Sequence, residues 1–376
     1  MNFQSLLLGS TAALIALSGA RAADAVLVAE PESVEYVRVC DAYGKGFFYI
    51  PGSETCLKIG GHVRYQAKVG DDAGSGEDLK TYKQFSRATL RFDARSDTEL
   101  GTLRSFIEAT VQYDDDSKAK LPHAYIELGG FRIGTTDDLF GSWTGSAADV
   151  ISDDVINYQS GKSNQVSYTF TGENGFSALI GLEQGEGEYT GVGLYAHQQS
   201  VEDKNAKKAK YAIDDYVPHV VAGAKYVQEW GSLSVVAGYD SKAEEFAVKA
   251  RLNVKLTDGV SAFVMAAYQS DGDVHYERVN GKGSSVRKVN YFGQWYGDYA
   301  VWGGLSAKIS NKATFNGQVA YEADGTVAGA ANVKYELVPG FVITPEVNYT
   351  AFGGGREAVK NTSDAFGGII RFQRNF

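Results

Sequence analysis

From residue 57 to its end the chain is written in runs of roughly 8 to 14 residues in which polar and apolar side chains alternate. The first run, CLKIGGHVRYQAKVG (56–70), sets Leu57, Ile59, Val63, Tyr65, Ala67 and Val69 on one face. Lys58, His62, Arg64, Gln66 and Lys68 fall on the other. A period of two is the mark of a β-strand. Such strands either bury the apolar face in a soluble core or turn it to lipid while the polar face lines water.

The pattern recurs at 82–96, 102–113, twice within LPHAYIELGGFRIGTT, and at 163–171, 175–185, 218–229, 231–240, 245–256 and 259–270. It continues at 298–309, 312–322, 326–337, 341–352 and 364–376. Sixteen runs result, the even number that closes an antiparallel bacterial barrel. Their connections sort by length. Tight ones (97–99, 129–130, 172–175, 230–231, 257–259, 311–312, 339–340) alternate with mostly longer ones (70–81, 114–120, 136–162, 186–217, 271–297, 353–363). Short turns on one rim and long loops on the other belong to outer-membrane barrels; a Greek-key sandwich has no reason to sort its connections so. In many runs the apolar face carries no charge, and the opposite faces read as too densely charged for a dry core. The predicted fold is all-β: a transmembrane 16-stranded antiparallel barrel with short periplasmic turns and long extracellular loops.

The ends agree. MNFQSLLLGSTAALIALSGARA holds an apolar core from about Leu6 to Leu17 and the A-x-A pattern Ala20-Arg21-Ala22, which reads as a signal peptide over 1–22, although it lacks a basic start. No later segment is long and apolar enough for a membrane-spanning helix. The last run, AFGGIIRFQRNF, ends in Phe376, as the terminal assembly signal of bacterial barrels does. Twenty-three Tyr and 19 Phe suit interfacial girdles. A mean hydropathy of −0.23 does not argue against a membrane, because alternation averages out. The net charge of −10, or −11 once Arg21 leaves with the leader, argues against nucleic acid as a partner. Cys40 and Cys56, the two cysteines, are expected to form a disulfide in an exported chain. Residues 23–56 then read as an N-terminal segment pinned by that bond, and 57–376 as the barrel.

The stretches VEYVRVCDAYGKGFFYIPGSETCLKIGGHVRY, TELGTLRSF, HAYIELGGFRIG and FGGIIRFQRNF, with the leader, resemble the general porins of alphaproteobacteria, the Rhizobiales or Brucella-type group. The resemblance runs the whole length and is densest over the first 135 residues. It implies a homotrimer of sixteen-stranded barrels that passes small hydrophilic solutes and ions by diffusion. It also picks the connection after the fifth strand as the loop folded inward. That loop carries Asp137, Asp138, Asp149, Asp153 and Asp154, with Ile151, Val155 and Ile156 available to pin it to the wall.

An empty lumen of this width needs a constriction to discriminate among solutes. Facing the acidic loop, the inward ladder Lys58, Arg64, Arg87, Arg91, Arg95, Arg104 and Arg132 is the expected basic wall. The two together set up a transverse field that orients dipolar solutes. The alternative for some of these arginines is a bridge to Asp93 or Glu108 within the wall.

The five histidines (His62, His123, His197, His219, His275) show no metal-ligand spacing, and GGGRE at 353–357 lacks the GK[ST] ending of a phosphate loop. No cofactor or enzyme activity is expected. EDKNAKKAK at 202–210 reads as a solvated loop near lipopolysaccharide phosphates. Expected partners are outer-membrane lipid, lipopolysaccharide and the barrel assembly machinery. Two other functions fit the pattern: a substrate-specific porin, for which a lumen track of Tyr and Trp is wanted but only Trp302 faces inward by parity, and a barrel acting as surface adhesin or envelope anchor.

Overall fold

The computed structural model describes residues 38–185, 211–272, 276–279, 282–285 and 290–376. The leader, the start of the N-terminal segment, the basic stretch at 202–210, His197 and His275 lie outside them.

Sixteen strands form the wall: Cys56–Gly70, Lys83–Thr98, Gly101–Tyr113, Ser117–Leu128, Phe131–Asp137, Lys162–Thr171, Phe176–Glu183 and His219–Gln228. Gly231–Asp240, Glu245–Thr257, Val260–Gln269, Tyr299–Lys308, Ala313–Glu322, Val327–Val338, Phe341–Ala351 and Asp364–Asn375 complete it. Each pairs antiparallel with its sequence neighbours, and the last closes on the first in the register Arg371↔Gln66 and Asn375↔His62. Beyond that register the backbone of Phe376 exchanges two hydrogen bonds with Gly61, of 3.0 and 3.1 Å, so the terminal residue seals the seam. Closure leaves no edge with unsatisfied N–H and C=O groups, which is what a sheet in lipid requires.

The predicted strands stand, with one correction at the fourth. It begins at Ser117 rather than near Leu121, so the connection there is residues 114–116, not 114–120. Pro122 is the second residue of the run LPHAY at which the strand was expected to begin. It lies where the register against the third strand shifts between Glu108 and Thr110, and a bulge is where a sheet tolerates proline. Of the tight turns, Gly129-Gly130 shows the chemistry most directly. Both take positive φ (57° and 90°), as the central residues of a two-residue hairpin turn must.

Parity sorts the two surfaces. The outer one is apolar at mid-height (Leu90, Ile180, Val264, Val319, Val347). Tyr239, Tyr268, Tyr299, Tyr321 and Tyr349 ring the long-loop end, and Phe131, Tyr168, Tyr226 and Tyr335 ring the short-turn end. These are the two aromatic girdles of a membrane barrel. The inner surface departs from expectation on one side. Over the first strands it is charged, as read. From the seventh strand to the fourteenth Leu179, Val221, Val236, Ala247, Met265, Ala267, Ala300, Ala320 and Ala328 stand among buried polar groups such as Glu183, Lys249 and Gln269, and this side does hold a packed core. The packing partners come from two segments inside the barrel: Leu139, Phe140, Ile156 and Tyr158 of the loop after strand five, and Tyr291, Phe292, Trp295 and Tyr296. Glycines open sockets for them. A Cβ on Gly223 or Gly238 would stand 2.6 Å from Trp143 Nε1 or the Phe292 ring.

Cys40 and Cys56 are disulfide-bonded. The loop they close packs Phe47 with Tyr43 and Tyr49, and the cations of Lys58 and Arg95 lie 5.8 and 5.1 Å from the Phe47 ring. It therefore rests against inward-facing side chains at the short-turn rim. Because so little core holds this loop, reducing the bond is expected to expose residues 41–55 to protease while the barrel stays resistant, as limited proteolysis followed by mass spectrometry can check.

Candidate functional site: the inward loop and the basic wall

After Asp137 the chain leaves the wall, forms a short helix (Leu139–Thr144) and crosses the lumen before re-entering at Lys162. Asp138 makes the departure possible. Its carboxylate accepts from the backbone N–H of Gly141 (2.6 Å), Ser160 (3.0 Å) and Gly161 (3.3 Å), capping the helix and clasping both ends of the loop. It is fully buried, and burial pushes its pKa up. Asp138 is therefore a clasp within the loop and does not line the lumen, contrary to the sequence reading.

The far wall holds the loop by its backbone. Glu346 accepts from the N–H groups of Ile151 and, at 2.8 Å, Ser152. Gln318, Asn332 and Trp302 donate to the carbonyls of Asp153 (2.9 Å), Asp149 (3.0 Å) and Ile156 (2.9 Å). Lys249 and Arg251 donate to the carbonyls of Tyr158 and Ser146. Of the three side chains expected to pin the loop, Ile156 is buried in the packed core and Val155 packs against it, whereas Ile151 borders open space. The anchors are mostly polar wall residues that parity places inward but whose partner no pattern names.

The loop carboxylates are unequal. Asp137 pairs with Lys162 and Asp149 with Lys334. Asp153 accepts from the Tyr158 hydroxyl at 2.5 Å, and burial, with Asp154 beside it, pushes it up to about 7. Asp154 alone among the five stands exposed in the lumen with no ion pair among the described residues.

The basic ladder divides as well. Arg95 and Arg104 share Asp93 (2.8 and 2.9 Å), Arg104 and Arg132 share Glu127 (2.7 and 2.6 Å), and Arg91 meets Glu108 at 2.5 Å. Lys58 lies against the disulfide loop, six residues below Arg64 and about 20 Å from it along the strand. Arg95, Arg104 and Arg132 thus form an ion-paired belt near the short-turn rim, with Lys58 at the same level, rather than a face toward the loop. Arg64 and Arg87 do face it. They border a cleft of about 380 Å³ together with Arg371, Lys68, Ile151, Ser152, Asp154 and Val155. Arg371 was missed, although alternation in the last strand sets it opposite Phe372, on the inner face.

A family model described as the porin subfamily matches residues 24–368. Porin Omp2b of Brucella canis is 47% identical over 392 aligned residues spanning 100% of both chains, and Porin Omp2b of Brucella abortus (strain 2308) matches to the same extent. Among solved structures, the outer membrane channel DcaP of Acinetobacter baumannii superposes with a TM-score of 0.62 at 16% identity, covering 87% of this chain and 99% of that one. A mutant of the Rh. blastica porin gives 0.51 at 12% identity, covering 85% and 100%. At such identities the two structures speak to the fold alone. Sequence, fold and lumen lead to one conclusion: the chain belongs to the porin family, and it is an outer-membrane porin of the Brucella type.

Proposed function

We propose that this porin is a passive diffusion channel for ions and small hydrophilic solutes, narrowed where the inward loop faces Arg64, Arg87 and Arg371. The observation that supports it is the asymmetry of the loop. One side is bonded and packed to the far wall, and the other leaves a polar cleft against the arginines. Opposed charges across a narrow water column orient dipolar solutes and disfavour apolar ones. The barrel works as a homotrimer in outer-membrane lipid and lipopolysaccharide, placed there by the assembly machinery that reads the terminal strand ending at Phe376. Residues 1–22 are removed on export, the N-terminal segment 23–56 carries the disulfide loop, and 57–376 form the channel.

The test is single-channel current across a planar bilayer in a salt gradient. Conductance rising in steps of three supports the reading, and silence from folded, heat-modifiable protein defeats it. The same record carries a pH prediction. As pH falls through about 7, Asp153 takes up a proton and loses its charge, so the reversal potential shifts toward anion preference. Asp153→Asn is expected to show the shifted value throughout.

A further inference from the structure

Three arginines that border the cleft differ from those of the neighbouring early strands. Arg91, Arg95, Arg104 and Arg132 each meet a carboxylate within 2.9 Å. Arg64, Arg87 and Arg371 meet none among the described residues. Instead each Nε donates at 2.9 Å to a glutamine side-chain oxygen: Gln373, Gln112 and Gln66 respectively. Arg87 also gives one Nη to Gln112, at 2.5 Å. Arg64 and Arg87 are directly opposite across the first two strands, where like charges repel, and Arg371 pairs in register with Gln66 on the neighbouring strand.

A neutral amide fixes the plane of a guanidinium without cancelling its charge. A carboxylate in the same place would do both, as Asp93 and Glu127 do below. The remaining Nη groups of the three arginines have no hydrogen-bond or ion-pair partner among the described residues, although the Arg87 guanidinium lies 5.1 Å from the Phe85 ring, and all three residues border the cleft. Among the described residues, none of the other charged groups there is ion-paired to them. Lys68 is taken by Asp72 at 3.1 Å, Asp71 accepts the backbone N–H of Phe366 at 3.0 Å, and Asp154 lies on the loop side. What the site lacks is a small group with several acceptor oxygens and negative charge, for which guanidinium forks are matched.

We propose that Arg64, Arg87 and Arg371 form a binding subsite for small oxyanions, the phosphate or carboxylate groups of solutes in transit, and that this subsite gives the channel a preference for anions. The inference rests on the channel reading above and deepens it. It also runs against the acidic net charge of the chain, because the charge that counts is the unneutralised charge at the narrowest passage.

The experiment measures KCl current through the native protein in planar bilayers while inorganic phosphate, or separately succinate, is added at low salt. Saturable inhibition of the current is expected, with a reversal potential on the anion side. Arg64→Gln, Arg87→Gln and Arg371→Gln are each expected to raise the half-inhibiting concentration about three- to tenfold. Arg374→Gln, at the short-turn rim, is expected to leave it unchanged. Heat-modifiable electrophoretic mobility reports that each variant is folded. Inhibition by phosphate alone assigns the site to phosphoryl groups, by succinate alone to carboxylates, and by both to oxyanions generally. A protein that conducts KCl yet shows no saturable effect, or the same effect in the triple variant, overturns the subsite and leaves the channel standing. A folded protein that passes no KCl overturns the channel reading, and the subsite's role in transit with it.

Discussion

Trp302→Ala is expected to lower the stability of the folded barrel by about 3–5 kcal/mol and to unsettle the current through it. Trp302 is wholly buried inside the lumen, edge-on to Trp295 at 6.0 Å and to Tyr158 at 6.4 Å. Its Nε1 donates to the Ile156 carbonyl at 2.9 Å. Truncation leaves a cavity where the inward loop, the Trp295 segment and the wall meet, and it strips a buried carbonyl of its donor. Trp302→Phe restores most of the volume but not the bond, so it separates the two contributions. Denaturant unfolding in detergent reads the first effect. Single-channel noise reads the second, since a loop freed at Ile156 changes the width of the passage on the recording timescale. An unchanged midpoint with a quiet channel would show that the other anchors hold the loop without it.

The second large effect concerns the outer surface. Val264 sits halfway along the strand Val260–Gln269 and is 48% exposed, on the face assigned to lipid. An arginine there must cross the hydrocarbon midplane, and Val264→Arg is expected to cost about 2–4 kcal/mol. Leu305→Arg, on the same face but near the short-turn rim, is expected to cost about 0–1 kcal/mol, because a long cation there reaches the headgroups. Unfolding and refolding in lipid vesicles measures both. Equal costs would mean that this face is covered by protein rather than by acyl chains. A barrel that shrugged off both substitutions would mean that the face is wet.

Both predictions draw on the same asymmetry between what a pattern of residues determines and what it leaves open. Strand number, turn positions and the identity of the lipid face were legible because each follows from a rule confined to one or two adjacent strands. Alternation of period two assigns Val264 to one face and Met265 to the other whatever the rest of the chain does, and Gly129-Gly130 makes its turn by local backbone freedom. The start of the fourth strand was misplaced by only a few residues, and the bulge opposite Pro122 shifts the register without changing the topology.

The site was legible only in part. Parity put Arg64 and Arg104 on the inner face alike, and no feature of their own strands separates them. Asp93 and Glu127 lie beside Arg104 through pairing with the neighbouring strand on either side, but Gln373 lies beside Arg64 only because the barrel closes its last strand on its first, across 309 residues. Asp138 read as one acid among five until the chain returned Ser160 and Gly161 to it. The packed half of the lumen was invisible for the same reason: Ala300 or Gly238 on an inner face says nothing until Trp295 or Phe292 arrives from another segment to fill the space. The sequence by itself determined a closed membrane barrel, because alternation and backbone hydrogen bonding act between neighbours. Tertiary structure decided which charges face one another in the passage, because Arg64 and Arg371 meet their glutamine partners only where the barrel closes, and the loop carboxylates are sorted only when the loop folds inward.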